Sequence, residues 1–207
     1  MKITAMSIQK MQSLHSAKKQ QGNYLLSIGI GIMIMAILAV WGIPKVQDYL
    51  IEGALPSVAE ETQRFVSRLK VNISGAGGST PYKGVTQEYF ARTVRGSVLQ
   101  VTSTGGEESE DGEVVRHGLG GGGNGIIEIA EVTNGTSLTV TFSNVNHAAC
   151  PGLATALQRT FDNIKINDES IKVTDPETRE VTDAYLAGVA ADECENGDTN
   201  EFIFEIF

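Results

Sequence analysis

Four groups of residues have types and spacings that could carry chemistry. His147 and Cys150 stand three apart, neighbours on one helix face, and an imidazole beside a thiol can generate a thiolate nucleophile. Cys194 competes for that thiol. In an oxidising compartment the simplest reading is a Cys150–Cys194 disulfide, which consumes the nucleophile and, in the chain-entropy model, stabilises the fold by roughly 4 kcal/mol. The alternative is two reduced, buried thiols. Gly118-Leu119-Gly120-Gly121-Gly122-Gly123 spells G-x-G-x-x-G, but the dinucleotide turn needs a helix after it, and Ile126, Ile127, Ile129 and Val132 read as a strand. Glu107, Glu108, Glu110, Asp111 and Glu113 could be drawn as a calcium site. They lack the EF-hand spacing, and the run reads as a solvated loop. Two distant cysteines and one nearby histidine do not make four zinc ligands. His117 reads as a loop residue, and His15 lies in the basic N-terminal stretch. We therefore expect a chain that is not an enzyme and holds no cofactor or metal.

The element that must organise everything else is residues 24–43, YLLSIGIGIMIMAILAVWGI, in which Ser27 is the lone conventional polar side chain. As a helix it spans roughly 30 Å, the thickness of a bilayer's hydrocarbon core. Only a helix lets a single apolar segment satisfy its backbone in lipid. Residues 1–22 carry Lys2, Lys10, Lys18 and Lys19 and no acid, which favours a cytoplasmic N-terminus. The formal net charge is −9, so the chain beyond those lysines is more acidic still. Such a surface repels phosphate, and no nucleic-acid partner is expected.

Residues 44–70 continue as an amphipathic helix, with Ile51, Leu55, Val58, Thr62, Phe65 and Leu69 on one face and Glu52, Glu60, Glu61, Arg64 and Arg68 elsewhere. Pro44 predicts a kink, and Pro56 a second bend or a local loss of helix. A glycine-rich loop follows. Short elements are expected at residues 84–94 (helix) and 97–102 (strand). Asn134-Gly135 between two β-branched runs, residues 125–133 and 137–144, is a strong hairpin signal. A helix over 150–160 opens with Pro151 in its first turn. A second hairpin turns at Asn167-Asp168-Glu169-Ser170, and a further helix is expected over 181–192. Residues 201–207, apolar along one face and partly along the other, are too aggregation-prone for an exposed edge and belong inside a sheet. The fold class is α+β, a long N-terminal hydrophobic helix followed by residues 71–207 as a globular head with a mainly antiparallel sheet.

The leader-like residues 1–22 end in Lys18-Lys19-Gln20-Gln21-Gly22, and no small-x-small signal-peptidase site follows the apolar segment. In this the chain resembles the type IV pilins, specifically the long-leader type IVb (PilS-like) group. The resemblance implies cleavage by a prepilin peptidase between Gly22 and Asn23. It would make residues 23–70 the N-terminal helix, with Pro44 at the family's kink position. It further implies a disulfide-bounded region 150–194 in the head, residence in the bacterial inner membrane with the head periplasmic, and later polymerisation into an extracellular pilus with other pilin subunits and an assembly machinery. The implied function is a structural subunit of a thin, conjugative or adhesive pilus. The alternatives are a minor pilin or pseudopilin that primes or caps a fibre, or a bitopic protein with a periplasmic binding head. Ser27 departs from the pattern, because the family usually has Glu at that position to neutralise a neighbour's N-terminal amine.

Overall fold

The computed structural model describes residues 24–74, 80–103 and 112–207, which divide after Trp41 into two units. Gly22 and Asn23 lie outside the described residues, as do Glu107, Glu108, Glu110 and Asp111. The long helix is α1 (Tyr24–Ser74). Its helical assignment continues through residues 44 and 56, so the local loss of helix expected at Pro56 does not occur. Pro56 is exposed, and so is Glu52, whose carbonyl has no ladder donor because the proline lacks an N–H; water can donate to that carbonyl instead. The helix also runs past residue 70 to Ser74, with Ile73 packed against the core.

The second unit, Gly42–Phe207, is built on one antiparallel sheet. Its strands are β1 (Gln100–Ser103), β2 (Glu113–Arg116), β3 (Ile126–Val132), β4 (Ser137–Val145), β5 (Asn163–Ile166), β6 (Glu169–Thr174), β7 (Val181–Asp183) and β8 (Asn200–Ile206), in the order β1-β2-β3-β4-β8-β5-β6-β7. The last strand lies in the middle, between β4 and β5, as its two-sided apolar character requires. Strand alternation puts Leu138, Val140, Phe142, Ile164, Ile166, Phe202, Phe204 and Ile206 on one fully buried face. The other face carries Glu128, Thr139, Thr141, Ile203 and Glu205, none of them buried. Phe204 is the centre of the core, registered with Val140 on one side and Ile164 on the other, with the tilted Phe161 ring 5.0 Å away.

The C-terminal part of α1 covers the buried face with Ile51, Val58, Ala59, Thr62, Phe65, Val66 and Leu69. Glu61, which the sequence places off the apolar face, is nonetheless buried: it is 8% exposed and pairs with Arg64 at 3.0 Å. The short helix α2 (Gln87–Val94) adds Phe90, edge-on to Phe65 at 4.8 Å, and is capped by the Thr86 hydroxyl. α3 (Cys150–Leu157) adds Leu153 and Leu157. The helix expected over 181–192 is found only in part. Val181 and Thr182, β-branched and exposed, pair as strand β7 with β6, and α4 (Ala187–Asp192) starts six residues later than the helical spacing suggests.

The β3–β4 hairpin turns through Thr133, Asn134 and Gly135, all at positive φ. Asn-Gly thus marks the turn, although the connection, residues 133–136, is two residues longer than the two-residue form.

Candidate functional site

No set of convergent ionisable groups marks an active site among the described residues, and the residues that could have done chemistry are engaged in holding the fold. Cys150 opens α3 and is bonded to Cys194, just past α4, with Cα atoms 5.9 Å apart. Its sulfur is therefore unavailable to His147. The His147 backbone instead donates to the Gly197 carbonyl at 2.8 Å, linking the start of α3 to the loop after Cys194.

His117 follows β2 and turns inward, 2% exposed, where sequence reasoning expected an ordinary loop residue. Both ring nitrogens are satisfied: Nε2 bonds the Ser143 carbonyl at 3.0 Å, and Nδ1 accepts from the Leu119 amide at 2.9 Å. Burial holds the imidazole down at a pKa of about 4, so it is neutral at physiological pH. The glycine cluster is explained by what packs on it. A Cβ at Gly125 would fall inside the His117 ring, and one at Gly121 would collide with the Asp198 carboxylate. Asp198 Oδ1 accepts from the Gly121 amide at 2.8 Å and from Asn146 Nδ2 at 2.6 Å, and Asn146 in turn receives the Ala148 amide ahead of α3. The glycines let backbone approach a buried histidine and an aspartate. A single 3-10 turn at Gly121–Gly123 and then β3, not the α-helix of a dinucleotide turn, follow. Of the acidic run, Glu113 is described, and it pairs with Arg95.

What remains without intramolecular cover is the apolar helix. Residues 24–42 are all exposed, with Leu25 at 85% and Trp41 at 79%, and none of the most apolar 18-residue window is buried. Ser27 lies within this stretch and is exposed like its neighbours. A helix that is apolar all round must be covered by lipid or by other helices. This surface is the candidate functional site: an association surface rather than a pocket.

No family model and no curated protein matches the chain. Among solved structures, the chain is similar to the crystal structure of type IV b pilin from Salmonella typhi, at a TM-score of 0.42 and 20% identity, over 69% of this chain and 95% of that one. A likeness at that level carries no argument about activity or partners.

Proposed function

We propose that this chain is a structural filament subunit of the type IVb pilin kind. It would be held in the inner membrane by residues 24–43 and then polymerised by packing those helices against one another. The reading is supported above all by the exposed apolar helix followed by a folded, disulfide-closed unit. Lipid covers such a helix before assembly; other copies of it cover it afterwards. Because lipid tails are as apolar as leucine, the exchange is driven by close packing rather than by burial.

In this reading the leader ends at Gly22, prepilin peptidase releases Asn23 as the new N-terminus, and Pro44 and Pro56 are the places where the helix bends. The acidic, disulfide-closed head resides in the periplasm and then on the fibre's exterior. Ser27 favours a second reading, a minor subunit that primes or caps a fibre. A serine hydroxyl can donate a hydrogen bond but cannot neutralise a neighbour's amine, whereas a subunit at the leading end has no neighbour ahead to pair with.

Quantifying the chain in sheared surface fibres separates the two. A major subunit dominates the fibre mass, and a priming or capping subunit is present in trace. Complete retention in the membrane fraction contradicts both.

A further inference from the structure

Asparagine followed by glycine is chemically labile at neutral pH, because the glycine amide nitrogen can attack the asparagine side-chain carbonyl and glycine has no side chain to block the approach. The sequence holds three such pairs, Asn124-Gly125, Asn134-Gly135 and Asn196-Gly197. The sequence ranks them equally; the fold does not.

The attack closes a five-membered ring, so the peptide unit between the two residues has to rotate out of its native setting. At Gly125 that rotation is walled in. The residue is buried, its carbonyl accepts the His117 amide at 3.2 Å, and the His117 ring fills the space a Cβ would take. Gly135 is buried as well, its carbonyl accepts the Tyr82 amide at 2.9 Å, and the Lys83 backbone nitrogen stands 2.6 Å from where a Cβ would be. Both pairs react only through local opening, in proportion to the population of the opened form. Asn196 and Gly197, by contrast, are both exposed, in the loop between α4 and β8. Nothing lies within 4 Å of a Cβ built on Gly197, and among the described residues neither the Asn196 side chain nor the Gly197 amide has a hydrogen-bond partner.

We infer that Asn196 is a self-modifying site, the place where the folded chain deamidates. The Gly197 nitrogen, having given its proton to solvent, bonds to Asn196 Cγ; the Cγ–Nδ2 bond breaks, Nδ2 leaves as ammonia, and a succinimide remains. Water then opens the ring. Opening at Cγ leaves an aspartyl residue, and opening at the backbone carbonyl leaves an isoaspartyl linkage in which the chain runs through Cγ. The net change is one water gained and one ammonia lost, with nothing oxidised or reduced.

The position gives this chemistry a structural reach. Asn196 stands between Cys194, fixed by its bond to Cys150, and two anchors that follow. The Gly197 carbonyl accepts the His147 amide at 2.8 Å, and Asp198 Oδ1 accepts the Gly121 amide and Asn146 Nδ2. An isoaspartyl linkage inserts one backbone carbon between the fixed cysteine and those anchors, which draws them out of register and loosens the loop from α3 and the glycine turn. This holds whether or not the chain polymerises.

The test ages the full, ¹⁵N-labelled chain in detergent micelles at neutral pH and follows its peptides by mass spectrometry, with electron-transfer fragmentation to tell isoaspartyl from aspartyl. The Asn196 peptide should deamidate at least about tenfold faster than the Asn124 and Asn134 peptides, whereas in guanidinium with the disulfide reduced all three should react at similar rates. In the aged folded chain the Gly121, His147 and Ala148 amides should shift in step with the isoaspartyl fraction. Asn196→Gln, an exposed change, should keep the fresh spectrum and abolish both the reaction at that peptide and the shifts. Equal rates at the three pairs in the folded chain, faster reaction at Asn124 or Asn134, or an intact Asn196 after a time that converts the unfolded chain overturns the assignment of the site. Isoaspartyl formation that leaves the His147 and Gly121 amides unmoved overturns the loosening.

Discussion

Because burial holds the His117 imidazole at about 4 against an ordinary 6.5, the folded chain binds fewer protons there than the unfolded chain between those two pH values. The sign follows: His117 leaves stability untouched above pH 6.5, stability falls as pH drops from 6.5 to 4, and no further loss comes from this residue below 4. The total is about 3 kcal/mol. Denaturant unfolding at pH 7 and pH 4 should show that loss in the parent. It should be largely gone in His117→Gln, and an unchanged pH slope in the variant would refute the assignment. Gly125→Ala, whose methyl would enter the His117 ring, should cost about 1–3 kcal/mol in the same assay. The sequence displayed the glycines plainly but not their reason. A motif spelling carries no information about which way the adjoining His117 turns, nor about Asp198, which folds onto it from far along the chain.

At the scale of elements, β8 is the strand on which the sheet depends, since it joins the β1–β4 half to the β5–β7 half. Phe204→Ala should therefore cost about 3–5 kcal/mol, while Thr139→Ala on the uncovered face should stay within about 0.5 kcal/mol; comparable losses at both positions would contradict the placement. Reducing Cys150–Cys194, which closes a separation of 44 residues, should lower the thermal midpoint, with a stability loss of roughly 4 kcal/mol in the chain-entropy model. Free alkylation of both thiols in the native protein would contradict the bond itself. The helix face from Ile51 to Leu69, the Asn-Gly hairpin and the interior terminal strand were legible because periodicity and turn chemistry act locally. β2 and β7 were not. Glu113 to Arg116 and Val181 to Asp183 are three or four residues long, too short for a period to register, and are strands because neighbours offer them hydrogen bonds. Glu61 was misread for a related reason: the helical period places it at the border of the buried face, and its pairing with Arg64 lets it lie inward.

The whole molecule divides labour between an apolar helix without intramolecular cover and an acidic folded unit closed by a disulfide. The first was readable from composition alone, since no charge interrupts residues 24–43. What covers that helix is not a property of one chain, and so the proposed polymerisation has to be tested in the cell's own fractions. The most direct measurement is the N-terminal residue of the chain recovered from membranes and from sheared surface fibres, read by mass spectrometry of its terminal peptide. Asn23 is expected at the N-terminus in both fractions, with residues 1–22 removed. Recovery of the chain in membranes alone, still beginning at Met1, would contradict it.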